Sequence, residues 1–188
     1  MATIVAFAGS NRRESMNRKA LALAVEGARN AGADVEVIDL REYPMPLYDA
    51  EWHAANGVPE GMLSLRRKMI DAPGLLIASP EYNTSITPLL KNTIDWLSQS
   101  VEGQSGRLPF ENKVTGLMGA SAGAFGTIRA LPHVSYILSN LGAFVLPVVA
   151  VPHADELVNA DGSVRNERAA KALRELGARV ARNAGNLA

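Results

Sequence analysis

Gly9-Ser10-Asn11-Arg12-Arg13-Glu14-Ser15-Met16-Asn17 lies between the apolar run Thr3-Ile4-Val5-Ala6-Phe7-Ala8 and an Ala/Leu-rich pattern, and its reading decides the fold. The run before it is rich in strand formers, and Gly-Ser directly after that run turns the chain at the strand's carboxyl end. In an open parallel sheet that is where ligands bind. The stretch offers the hydroxyls of Ser10 and Ser15, the amide of Asn17 and the guanidinium of Arg12. The helix that follows opens with free backbone N–H groups at the positive end of its dipole. Each of these groups can donate to a phosphate. The same residue types also serve as ordinary helix caps and as a solvated loop arginine, so the stretch alone leaves a phosphate cradle and a plain strand-to-helix turn both open. The patterns G-x-x-x-x-G-K-S/T and G-x-G-x-x-G are absent, which argues against a nucleoside-triphosphate loop and against a dinucleotide-binding turn. With no lysine in the stretch, a terminal monophosphate fits it better than a triphosphate.

Outward from this stretch, Leu21, Ala24, Val25 and Ala28 recur at helical spacing, with Gly32 where a C-terminal cap belongs. Val35 to Leu40 reads as a second strand. Arg41 to Pro59 is turn-rich and long for a simple connection, and long loops in compact domains are often functional. A helix through Met62, Leu65, Met69 and Ile70 leads to Gly74–Ser79, an apolar run without alternation that suits a strand buried on both faces. Ser79 to Ser85 breaks that strand, and Pro88 stands as the first-turn proline of a helix bearing Ile86, Leu90, Ile94 and Leu97. Val114–Gly119 reads as a fourth strand, followed by the turn Ala120–Thr127 and a helix through Ile128, Leu131, Ile137, Leu138 and Leu141. Ala143–Val151 supplies a fifth strand, and a last helix carries Ala169, Ala172, Leu173, Leu176 and Val180.

Five strands alternating with five helices call for an α/β fold, a doubly wound parallel sheet with helices on both faces. In the flavodoxin-like strand order 2-1-3-4-5, strands one, three and four are neighbours. Their Ser/Gly/Asn-rich turns then converge on one crevice, which raises the phosphate cradle above the plain turn.

Composition narrows the function classes. A chain of 188 residues with 47% hydrophobic residues suits one buried core, and a single domain over residues 1–188 is expected. Lys+Arg and Asp+Glu both number 19, so no basic field exists to hold nucleic acid or an anionic membrane. Without cysteine there is no thiol nucleophile, iron–sulfur cluster or disulfide, and redox chemistry must come from a bound cofactor. His53, His133 and His153 lack ligand spacing, so no metal site is expected. No signal-peptide pattern and no apolar run near ~20 residues is present, which points to a cytoplasmic protein.

Gly9-Ser10-Asn11-Arg12 with Ser15 and Asn17 resembles the G-S-x-R-x-x-S-x-N phosphate loop of the NAD(P)H-dependent FMN reductases, the group that includes bacterial quinone, azo-dye and chromate reductases. Ser79-Pro80-Glu81-Tyr82-Asn83 followed by Leu90-Lys91-Asn92-Thr93-Ile94-Asp95-Trp96 is similar to that family's second signature. The order and spacing of both motifs match across the entire chain. The third turn departs from the pattern, with Gly126-Thr127 where the family often has paired glycines.

The resemblance implies that Ser10, Arg12, Ser15, Asn17 and the backbone at Met16 hold the FMN phosphate. It places Pro80, Glu81, Tyr82 and Asn83 beside the isoalloxazine, and Ser121, Ala122 and Gly123 near its pyrimidine end. The donor is then NADPH or NADH, and the acceptor a quinone, azo compound, chromate or free flavin. The flavin supplies the chemistry, so no catalytic acid or base is named. A homodimer or homotetramer is also implied. Other readings stand beside these. Tyr82 could simply pack, Glu81 could be a solvated turn residue, and Trp96 suits a core or subunit-interface position better than a ligand contact. Asp39 holds the place of a ribose-binding acid but lacks the glycine fingerprint. A non-catalytic flavodoxin-type carrier would share fold and cofactor; such carriers are commonly strongly acidic, unlike this chain.

Overall fold

A computed structural model of the chain describes residues 1–186, so the last two residues of the expected domain lie outside the described residues. The elements in order are β1 (Thr3–Ala8), α1 (Met16–Asn30), β2 (Asp34–Ile38), α2 (Ala50–Asn56), α3 (Glu60–Asp71), β3 (Gly74–Ala78), α4 (Pro88–Leu97), β4 (Val114–Ala120), α5 (Leu131–Asn140), β5 (Phe144–Val145), β6 (Val149–Val151) and α6 (Glu167–Gly185). The strands form one parallel sheet in the order β2-β1-β3-β4-β5, with β6 also on β4. This is the flavodoxin-like order expected from the sequence.

The sheet core follows from a period of two on strands covered on both faces. Ile4, Ala6, Ala8, Leu76, Ala78, Met118 and Ala120 face α1 and α6, whereas Val5, Phe7, Leu75, Ile77 and Leu117 face α3, α4 and α5. Small residues predominate on the first face, and there the helices come close. A Cβ on Gly27 of α1 would stand 2.0 Å from the Arg174 carbonyl oxygen, and one on Gly177 of α6 would stand 1.8 Å from that of Ala24. The α1–α6 contact is therefore backbone against backbone.

Three expectations are corrected. The fifth strand is two: Phe144–Val145 pairs the start of β4 and Val149–Val151 pairs its end, because Pro147 between them has no N–H for the ladder. The turn-rich connection holds a helix, α2, capped by the Asp49 carboxylate accepting from Trp52 N at 2.7 Å. The helix expected to include Ile128 begins at Leu131, since Gly126 and Thr127 take φ of 53° and 71° and the chain is still turning through Ala130.

Trp96 is resolved in favour of the core. It is fully buried, donates from Nε1 to the Pro46 carbonyl at 2.7 Å, and meets Tyr48, Trp52 and His53 edge-on. It pins the connection bearing α2 onto α4 and offers no surface to another subunit.

Candidate active site

The three turns end level because their strands do. Ala8 pairs Ala78, which pairs Met118, and the ladder runs on through Gly9 N to Ala78 O at 2.9 Å and Ser79 N to Met118 O at 2.8 Å. Further bonds draw the turns together. Thr87, the cap of α4, donates from Oγ1 to the Gly9 carbonyl at 2.9 Å. A Cβ on Gly9 would come within 2.8 Å of Leu90 Cβ, so glycine is what lets the first turn sit against α4.

A crevice of about 170 Å³ opens between the turns, lined by Ser10, Arg12, Ser15, Met16, Asn17, Pro80, Tyr82, Ala120, Ser121 and Ala122. Nine of these are residues that the sequence put forward; the addition, Ala120, is simply where β4 ends. Glu81, Asn83 and Gly123 stand outside the lining.

The first turn leaves donors free for an anion. Ser15 is the N-cap of α1, yet its side chain makes no capping bond, so the first-turn N–H groups are not spent on it. Arg12 is exposed and forms no ion pair among the described residues. No acidic residue lies in the first turn of α1 to compete for its positive end. These features fit a phosphate group.

The side chains of Asn17 and Glu81 are engaged within the fold. Asn17 is buried and clamps the end of β4, its Nδ2 donating to Ala120 O at 2.9 Å and its Oδ1 accepting from Ala120 N at 3.0 Å. It ties the first turn to β4, with one amide hydrogen left over. The Glu81 carboxylate is not a solvated turn group. Its carboxylate, 8% exposed, accepts from Arg129 Nε at 2.7 Å, from Arg129 N at 3.2 Å and from Ala130 N at 3.1 Å, with a further charged bond from the same guanidinium. That locks the second turn to the start of α5, a pairing across 48 residues that no local pattern reveals.

The second turn is tight. Tyr82 and Ser85 exchange backbone hydrogen bonds at 3.0 Å each, with Asn83 and Thr84 between them at φ of 47° and 66°. Asparagine tolerates that region, whereas threonine in it is strained, as residues beside functional sites often are. In the third turn Thr127 is likewise left-handed, and its enclosed hydroxyl has no partner among the described residues; it lies above Gly119, where a Cβ would lie 1.7 Å from Oγ1. Gly123 faces open space; its nearest neighbour, Ser121 Oγ, would stand 4.0 Å from a Cβ.

Asp39, at the end of β2, is closed to a ribose. Arg18 holds it at 2.7 and 3.0 Å and Arg41 binds both of its oxygens, so two guanidiniums hold its carboxyl well below the usual carboxylate range. Arg18 also reaches the Ser10 carbonyl at 3.4 Å, which braces the first turn.

Residues 2–156 match the NADPH-dependent FMN reductase family. The chain belongs to that family. It is 34% identical over 174 residues to an NAD(P)H-dependent FMN reductase of Pseudomonas aeruginosa, covering 92% of this chain and 89% of that one. It is 31% identical over 172 residues to a 2-hydroxy-1,4-benzoquinone reductase of a Burkholderia species, covering 90% and 89%. Among solved structures, a flavoenzyme NAD(P)H:(acceptor) oxidoreductase of Paracoccus denitrificans superposes with a TM-score of 0.82 at 25% identity, over 99% of this chain and 98% of that one. The chain is thus an oxidoreductase of a family whose flavin is FMN and whose donor is a reduced nicotinamide nucleotide.

Proposed function

We propose that the chain is a cytoplasmic, single-domain FMN enzyme that passes electrons from NADPH or NADH to quinones, with azo compounds, chromate or free flavin as further acceptors. The observation that carries this reading is the meeting of an unpaired Arg12 and the uncapped first turn of α1 in a crevice walled by the two other turns. Ser10, Arg12, Ser15 and the N–H of Met16 hold the phosphate, while Asn17 steadies the turn and contributes its remaining amide hydrogen. The backbone of Pro80–Asn83 and of Ser121–Gly123 borders the ring system. When bound, FMN accepts a hydride from the nicotinamide and delivers two electrons to the acceptor. No side chain of the crevice is assigned a proton-transfer role. A quinone is favoured first because the Burkholderia relative is named for one. A carrier that merely shuttles electrons between proteins fits less well, since zero formal charge provides no field to steer a charged partner.

Equilibrium titration of the flavin-free protein with FMN, followed by turnover of the loaded protein with each nicotinamide and a panel of acceptors, tests the proposal. Tight FMN binding with quinone turnover supports it. Binding without turnover of any acceptor would favour the carrier.

The crevice of about 170 Å³ falls short of the ~300 Å³ at which pockets begin to enclose a ligand. The rest of the flavin therefore lies on open surface unless a second copy covers it, which supports a homodimer or homotetramer. Light scattering at micromolar concentration should give a mass of at least twice 20.0 kDa; a single-chain mass would refute the assembly.

A further inference from the structure

We propose that Phe125 is the aromatic platform on which the electron acceptor stacks, and that it selects planar conjugated acceptors over compact inorganic ones. The inference rests on the reading of the crevice as the flavin site. Phe125 lies in the third turn, three residues beyond Ala122 of the crevice wall, and is 60% exposed. A lone exposed phenylalanine is ordinary on a protein surface; one fixed in place by a chain of strong contacts is not.

The Arg129 guanidinium carbon stands 4.7 Å from the Phe125 ring centroid, covering one face. Arg129 is in turn held by the well-buried Glu81 carboxylate, which also accepts from the backbone of Arg129 and Ala130. Contacts thus run unbroken from the second turn through Glu81 and Arg129 to the ring in the third. The backbone is confined as well: a Cβ on Gly126 would come within 2.4 Å of Pro152 N, so the residue after Phe125 packs directly on the chain leaving β6. One ring face is backed by a cation, while the exposure leaves the other open. Tyr82, 53% exposed, presents a second aromatic ring from the turn forming another wall of the crevice.

A ring braced on one face by Arg129, in the turn whose Ser121 and Ala122 line the crevice, loses little freedom when a flat molecule stacks on it, so the stacking energy is retained in binding. Benzoquinone becomes hydroquinone by taking up two electrons and two protons, the electrons and one proton coming as hydride from NAD(P)H and the second proton from water. It remains flat throughout. Ferricyanide, which is not flat, gains nothing from the ring.

The test compares the parent protein, Phe125→Ala and Phe125→Trp, each loaded with FMN, in steady-state turnover of 1,4-benzoquinone and of ferricyanide. Anaerobic calorimetric titration of the oxidised proteins with hydroquinone gives a readout free of turnover. Phe125→Ala should raise the benzoquinone KM and the hydroquinone Kd about three- to tenfold, the range of an aromatic pair, with the ferricyanide KM within about twofold. Phe125→Trp should restore both quinone values. Equal changes for the two acceptors, or no change for either, would overturn the proposal. So would a lower molar mass for Phe125→Ala by light scattering, which would make the ring a contact between copies. Failure of the parent protein to bind FMN would instead remove the flavin-site reading, and the platform with it.

Discussion

At the level of single residues, the site separates groups left free for a ligand from groups that hold the turns. Arg12 belongs to the first kind: it is exposed at the crevice and forms no ion pair among the described residues. Arg12→Ala should therefore weaken FMN binding about ten- to a hundredfold, the range of a charged hydrogen bond of ~1.5–3 kcal/mol, with the unfolding midpoint unchanged. Fluorescence titration with FMN measures it, and an unaltered Kd would remove Arg12 from the phosphate site. Asp39 belongs to the second kind. Its folded-state pKa lies far below the ~3.9 of an unfolded aspartate, so its stabilising effect is complete above about pH 4 and is lost as acid carries the solution toward the lower value. Asp39→Asn should be the less stable protein at neutral pH, and the gap should narrow below about pH 4. Urea unfolding across that range reads the difference; a gap of constant size would mean that the two arginines do not depress the pKa. Asn17 and Glu81 show why residue roles are harder to read than residue positions. Both stand in motifs that the sequence brings forward, yet each spends its side chain on a partner 103 or 48–49 residues away, a distance over which spacing carries no information.

At the level of elements, legibility follows burial. The central strands β1, β3 and β4 announce themselves because they are covered on both faces and so are almost wholly apolar, Thr3 and Thr115 excepted. Helix α2 does not, since none of its residues is buried and no apolar period marks it; only the capping aspartate, Asp49, precedes it as a signal. The division into β5 and β6 was legible in Pro147, which stands inside an otherwise strand-like run. The pairing of α1 with α6 was not, because Gly27 packing on Arg174 and Gly177 packing on Ala24 join residues far apart in the sequence and leave no local trace. That pairing leaves no room for a side chain at Gly177. Gly177→Ala sets a Cβ 1.8 Å from the Ala24 carbonyl oxygen and must drive the helices apart, in spite of the higher helix propensity of alanine. A loss of about 3 kcal/mol or more is expected in chemical denaturation, at the top of the range for overpacking. A neutral substitution would show that the two helices do not approach this closely.

For the molecule as a whole, one sheet edge organises everything that matters chemically. Turns after β1, β3 and β4 meet at the carboxyl end of the sheet, and the cross-links through Thr87, Asn17 and Glu81 make them a single wall. On the proposed reading the crevice between these turns holds the flavin, and donor and acceptor then use the flavin's open face in turn. Such a shared site predicts that reduction does not wait for the acceptor, with parallel lines in double-reciprocal plots. The most direct test is anaerobic stopped-flow mixing of the FMN-loaded protein with NADPH or NADH, with a quinone withheld and then added. The flavin absorbance should bleach with the donor alone and return when the quinone arrives. Bleaching that requires the quinone to be present from the start would contradict the account.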